Sequence, residues 1–382
     1  MRIEPGMRVL FQQIAVLAII GVVAAGQTPT LKTRTKEDRE REFQANHRIT
    51  LNVQVTDAGG KPVTDLGAKD FTIFDNQQPR KLAAFHAIDG EAMNDATEII
   101  ILLDAVNTAA KDLEAEKAGI FKYLAQSHGA LPYPTSFVLW SNGHLKSTGA
   151  TQDRNVVGKA FVSMTKNLHS NACEPVEQSS AKAAADPERT GLTNAGSQAA
   201  DVTNCLQVHL KDSLAVLDGI AQQQVHVGGR TILIWVGAGW PLLSDVEATP
   251  KVRKSYSDEF VTILNDLRAS QVTVDNLGTH EADISAERRS LDQPQALSSE
   301  TGRPAFIALP MLAQQTGGRV ITDSNDIPGD LGKLLYDAEW YYALSFNPPP
   351  SANGAELRSL EVKVSRPGLN VRTMTGYYPD SF

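Results

Sequence analysis

The stretch EIIILLDAVNTAAKD, Glu98 to Asp112, decides how this 382-residue chain reads. Ile99 to Leu103 form an unbroken apolar run, the pattern of a strand buried on both faces of a sheet. The run ends in an acid, Asp104, followed by Asn107, Thr108 and an amphipathic helical pattern over Ala109–Gln126, with Leu113, Ile120, Phe121 and Leu124 on one stripe. A strand that ends on a carboxylate and turns straight into a helix is the unit of an open α/β sheet, and such sheets bind ligands at the carboxyl ends of their strands. Asp104 is therefore the first candidate site residue, either as a metal ligand or, with Asn107, as a structural group of which either side chain caps the next helix.

The same grammar continues downstream. Ser136–Asn142, Arg230–Trp240, Gln271–Leu277 and the short RVIT segment read as buried strands. Helical patterns fall at Asn155–Thr165, Cys205–Gln224, Ser257–Ser270, Ala305–Thr316 and Asp330–Glu339, the fourth stopped by Gly317 and Gly318. Lys166–Asn204 is polar and rich in Ala, Ser and Gly and reads as a surface insertion, while Ser285–Gly302 reads as a polar loop. Strands alternating with helices predict a doubly wound, mostly parallel sheet with helices on both faces, over residues 96–340.

Outward from this block both flanks turn to β patterns. Ile49, Leu51, Val53 and Val55 alternate with polar residues, DAGGKPV supplies turn chemistry, and Phe71–Asp75 and Arg80–Ile88 follow as strands. Beyond residue 340, WYYALSFNP, LRSLEVKVSR and NVRTMTGYY repeat the pattern, with Leu360, Val362 and Val364 on one face and Glu361 and Lys363 on the other. Neither flank carries enough core alone, so residues 47–90 and 341–379 are expected to complete one small antiparallel β sandwich, with Tyr341, Tyr342, Tyr377 and Tyr378 packed between its halves.

Residues 1–26 have the form of a secretory signal: Arg2 and Arg8, an apolar run from Ile14 to Val23, then small residues. The run is about half of the roughly 20 residues a membrane span needs, which favours a cleaved signal over an uncleaved anchor. Residues 27–46 form a charged linker. The expected product is exported, periplasmic or secreted, with no membrane span after signal removal. A net charge of −8 argues against nucleic acid as a partner. Cys173 and Cys205 are the only cysteines, and in an oxidising compartment a bridge between them is favoured over two free thiols. Without a neighbouring ligand cluster they make a poor zinc site.

The quoted motifs carry a resemblance. ILLDAVNT, RTILIWVGAGW, LAQQTGGRVI, YYALSFNP and LEVKVSRPGLNVRTMTGYY, with VQVTDAGGKPVTDLGAKDFTIFDNQQPRKLAAF before them, resemble in content and order the von Willebrand factor type A-related family of exported bacterial proteins, the acidobacterial type, over nearly all of Ile49–Tyr378. The resemblance implies a type A domain and an adhesion-type binding role. Type A domains often hold Mg²⁺ with an Asp-x-Ser-x-Ser loop, a Thr from a second loop and an Asp from a third. Here Asp104 and Thr108 fit the first and last positions of that loop, but Val106 stands where a hydroxyl belongs. Gly237, Ala238 and Gly239 stand where the third-loop Asp belongs, and Thr148 or Thr151 would have to serve the second. The resemblance thus implies a degenerate metal-ion-dependent adhesion site, with no cofactor expected and Mg²⁺ at best weakly held.

The expected function is non-enzymatic binding of a protein or peptide ligand through an edge made by Asp104, Asn107, Thr108, Gly237, Gly239 and Trp240. The glycines serve either close approach to a ligand or a tight turn, and Trp240 is either an interface anchor or a lid on the core. No nucleophile elbow, His-x-x-x-His pair or phosphate loop is present. The alternatives are a cell-envelope hydrolase using Asp104 or Asp275, the latter beside His280 just past a strand end, and a scaffold subunit of an envelope complex.

Overall fold

The computed structural model describes residues 48–89, 97–126, 129–173, 192–225, 229–240, 249–279, 308–349 and 357–379, with backbone alone for 192–201. The signal segment, the linker, the polar loop Ser285–Gly302, His280 and the middle of the 166–204 insertion lie outside them.

Seven strands form the central sheet: β5 (Glu98–Asp104), β6 (Ala130–Ser141), β7 (His144–Ser147), β8 (Thr151–Asp153), β9 (Thr231–Val236), β10 (Val272–Leu277) and β11 (Val320–Ile321). Their order is β11-β10-β9-β5-β6-β7, with β8 also paired to β6. All neighbours are parallel except β7 and β8, which run antiparallel to β6. Leaving β8 aside and counting in chain order, this is the sequence 3-2-1-4-5-6 of a doubly wound sheet, with its switch point between β5 and β9. The α/β class expected from the sequence is the class observed.

Helices α1 (Ala110–Ala125), α2 (Arg154–Thr165) and α6 (Ile327–Leu335) cover one face, packing Leu113, Ile120, Val157, Phe161, Ile327 and Leu331 on Ile99, Ile101 and Leu103. Helices α3 (Leu192–Gln224), α4 (Pro250–Ala269) and α5 (Leu309–Thr316) cover the other, packing Leu210, Leu214, Phe260, Ile263 and Leu312 on Ile100 and Leu102. Consecutive residues of β5 thus feed opposite cores, which is why the run must be apolar throughout. Phe121 departs from expectation: it is 51% exposed, because it sits one position past Ile120 and so points off the stripe. Helix α5 ends on Gly317 at φ 84°, the left-handed cap its sequence announced.

The flanking strands are β1 (Ile49–Thr56), β2 (Phe71–Asp75), β3 (Gln78–Arg80), β4 (Leu82–Asp89), β12 (Trp340–Phe346), β13 (Arg358–Val364), β14 (Asn370–Arg372) and β15 (Gly376–Tyr377). They make two four-stranded sheets, β14-β1-β12-β4 and β15-β13-β2-β3, each mixing strands from both ends of the chain. Between them lies a core of Leu51, Val53, Ile73, Leu344, Phe346, Leu360 and Val362. Tyr342 and Tyr377 join this core, whereas Tyr378 packs into the α/β core and Tyr341 lies under the Arg230 guanidinium, 4.5 Å from its ring centroid. The two parts are joined through Asp337: its carboxylate accepts from Arg319 and from Arg372 of β14, and its carbonyl from Arg230 and from Gln54 of β1.

A further expectation needs correction. The end of the presumed surface insertion is helical, since α3 begins at Leu192 and not at Cys205. A polar composition does not by itself mark coil, and the alanines of this stretch are strong helix formers.

Candidate functional site

The residues singled out at Asp104–Thr108 and Gly237–Trp240 meet at the carboxyl ends of β5 and β9, the switch point of the sheet. Asp104 is 0% exposed and its carboxylate is saturated. Oδ1 accepts from the backbone N–H of Val106 (3.0 Å) and Asn107 (2.9 Å); Oδ2 accepts from Asn107 Nδ2 (2.8 Å) and Trp235 Nε1 (3.0 Å). Two acceptor directions per oxygen are all a carboxylate offers toward its donors, so none faces a cation. Burial pushes the Asp104 pKa up, while the four N–H groups act the other way; only the ionised carboxylate accepts all four.

The helix-capping expectation is corrected. Asp104 caps its own loop and not α1, whose N-cap, Ala109, has no side-chain bond. A turn at Ala105–Asn107 separates Asp104 from α1, and the carboxylate bonds to that turn and to Trp235.

Thr108 Oγ1 accepts from Ala238 N at 3.2 Å. Gly237, at φ 143°, sits so close that a Cβ there would lie 2.6 Å from Thr108 Oγ1 and 2.9 Å from the Asp104 Cβ. A third-loop carboxylate at this position therefore has no space. Gly239, at φ 77°, is wedged against Leu309 in the same way. Both glycines serve turns and packing. Neither second-loop candidate arrives: Thr148 bonds to Phe137 and Thr151 pairs with Thr135, three and five residues short of Trp140, which lies opposite Asp104. The donor set present at this edge therefore does not fit Mg²⁺, which demands near-octahedral oxygen coordination.

Trp240 is the lid of the core and not an exposed anchor: it is 4% exposed and meets Trp235 edge-on at 5.6 Å, and Trp235 meets Trp140 edge-on at 5.8 Å. Asp275 also differs from expectation. It lies inside β10, 1% exposed, with Oδ1 accepting from Arg319 N at 2.7 Å. Burial, reinforced by nearby Asp337, pushes its pKa up. It supports the junction with the sandwich and does not face solvent at the sheet's carboxyl edge.

Several residues at the edge were not anticipated. Trp235 supplies the donor to Asp104; its signal was a lone polar-tipped aromatic inside an apolar strand, which needs a partner once buried. Glu116 is buried on α1, with Oε1 accepting from Thr279 N and Oγ1 at 3.3 and 3.4 Å and Oε2 without a partner among the described residues. Burial, reinforced by Asp104, pushes its pKa up to about 8. Its spacing from Leu113 and Ile120 placed it on the apolar stripe. Over the Asp104 loop runs a strap, Leu168–Cys173: Ser170 Oγ donates to Thr108 O at 2.6 Å and Asn171 N donates to Ala105 O at 2.8 Å. Asn171 also pairs with Asn142, in the turn after β6. From α3, Ser213 Oγ accepts from Asn107 Nδ2 at 3.4 Å. The strap is tied to α3 by the Cys173–Cys205 disulfide, the bridge the sequence favoured.

No protein-family model matches the sequence, and no curated protein matches it. Among solved structures, the chain is similar to the manganese-loaded TRAP protein of Plasmodium vivax, at 10% identity and a TM-score of 0.30 over 76% of this chain and 96% of that one. It is also similar to the human COPII-coat protein Sec24c, at 9% identity and a TM-score of 0.36 over 78% of this chain and 46% of that one, so it spans about half the length of the latter. At such identities and scores no functional argument passes between the chains, and the doubly wound order rests on the strand pairings described above.

Proposed function

We propose that this is an exported, non-enzymatic binding module of the type A class, which recognises a protein or peptide at the carboxyl edge of its sheet without a metal ion. The observation that carries the reading is the closed Asp104 carboxylate: the fold's binding edge is present, but its acid is spent on four protein N–H groups. Contact then falls to the polar rim around it, Asn142, Asn171 and the exposed Ala238. Neither acid considered for hydrolysis supports that alternative, since Asp104 and Asp275 are both buried and bonded. Export is supported by the basic, apolar and small-residue pattern of residues 1–26 and by the disulfide; among the described residues no helix is long and apolar enough to cross a membrane.

Two measurements test the reading. Melting in Mg²⁺, in Mn²⁺ and in chelator should coincide, because a cation bound to the folded state alone would raise the Tm. Capture of a partner from the native cell envelope should fall at least tenfold in Ala238→Arg, with the Tm unchanged, and in Asn171→Arg, which also loses the bonds to Asn142 but should keep the circular dichroism of the fold. A cation-dependent rise in Tm, or a hydrolytic activity lost in Asp104→Asn or Asp275→Asn, would overturn it.

A further inference from the structure

Where the strap over the β5–β9 edge meets α3, the disulfide has a third member. His209 follows Cys205 by one turn of α3, so both side chains leave the same helix face. Its Nδ1 is 3.2 Å from Cys173 Sγ, and its Nε2 is 3.7 Å from Cys205 Sγ. All three residues are half-buried, and their ligand atoms lie within 4.8 Å of one another.

We propose that Cys173, Cys205 and His209 form a site for a thiophilic divalent cation of the zinc class whenever the two cysteines are reduced, so that the strap is clipped to α3 by a disulfide in one redox state and by a metal in the other. The geometry is close to what such an ion needs. With Zn–S near 2.3 Å and Zn–N near 2.0–2.1 Å, a tetrahedral site sets sulfur and nitrogen about 3.6 Å apart; here each sulfur already lies near one ring nitrogen, Cys173 Sγ 3.2 Å from Nδ1 and Cys205 Sγ 3.7 Å from Nε2. What must change is the sulfur pair, which opens from a bond to a separation of about 3.8 Å. The imidazole must also turn so that a single nitrogen faces the ion. Three protein ligands leave the fourth position to water.

The chemistry balances. A dithiol reductant gives two electrons and two protons to the disulfide, forming its own S–S bond and leaving two thiols on the protein; the cation then displaces both thiol protons. A newly synthesised chain, its thiols not yet oxidised, holds the same ligands without any reductant. The site is independent of the binding reading above, because neither Asp104 nor the rim residues ligate.

The test uses the full chain, reduced with dithiothreitol and desalted without oxygen, and titrated with Co²⁺ and then Zn²⁺. One equivalent of Co²⁺ should bring up near-ultraviolet thiolate-to-metal absorption, which Zn²⁺ bleaches, and the oxidised chain should give none. Cys173→Ser should abolish the absorption, and His209→Ala should weaken Zn²⁺ binding at least tenfold while leaving the circular dichroism of the oxidised chain unchanged. Absence of the absorption in reduced wild-type protein, or equal Zn²⁺ affinity in His209→Ala, would overturn the proposal. So would a reduced chain that unfolds and is not restored by equimolar Zn²⁺.

Discussion

Trp235 and Asp104 lie on neighbouring strands and satisfy each other in a place water does not reach. Replacing Trp235 with Phe keeps most of the ring contact with Trp140 and Trp240 but leaves a buried carboxylate oxygen short of a donor. The expected cost is about 1–3 kcal/mol, read from urea denaturation; a loss below about 0.5 kcal/mol, the scatter of ordinary surface changes, would show that the bond is dispensable. Glu116 gives a pH signature. Its ordinary pKa is 4.5, and in the folded chain it is raised to about 8. Between these values the folded state holds a proton that the unfolded state has lost, so stability falls as pH rises from 4.5 toward 8. Glu116→Gln should flatten that slope in melting curves taken across the range, and an unchanged slope would assign the effect to other groups. At this scale the sequence was half legible. Asp104, Thr108 and Gly237 do meet, because strand ends are set by hydrophobic pattern. Their hydrogen-bond partners were hidden, because Trp235 is distant in sequence and reaches Asp104 only through strand register.

Among the elements, the strap and α3 carry the most consequence. The bridge closes a separation of 32 residues, which the chain-entropy model values at roughly 3–4 kcal/mol. Reduction in the presence of chelator should therefore lower the Tm, and hydrogen exchange should rise first at Ser170 and Asn171, the residues that hold the strap down. Uniform exchange across the chain would mean that the bridge stabilises globally and not through the strap. Elements with strong periodicity, such as β1, β2, β5 and β12, were readable to within a residue or two. The hairpin of β6 and β7 was missed although Asn142-Gly143 announces it: both residues have positive φ, as a tight primed turn requires. The first turns of α3 were missed for a different reason, since a helix with few apolar residues has no stripe to betray it.

Across the molecule, Asp337 is the junction of the two parts, and Arg372 is the sandwich's side of it. Arg372→Ala leaves Arg319 as the carboxylate's remaining partner, so a loss of about 1–3 kcal/mol is expected, with Arg372→Lys recovering part of it; urea denaturation of both variants against wild type decides. A loss confined to Arg372→Lys, or to neither, would place the junction elsewhere. The pairing of the two chain ends was legible because each flank carried alternating strands but too little core. The sheet order was not, because pattern shows which face is buried but not which strand lies beside it. That order has one more consequence. Thr50 of β1 bonds to Ser345 of β12, 295 positions later, and contacts so distant slow folding. As the chain leaves the ribosome, β1 and β4 emerge with bare edges and no mates and β2 with β3 alone beside it, while the segment after them can already wind into its own sheet. Those strands stay open to mispairing until β12 to β14 have been made, so a holding chaperone would act on the newborn β1–β4 segment rather than on the α/β segment.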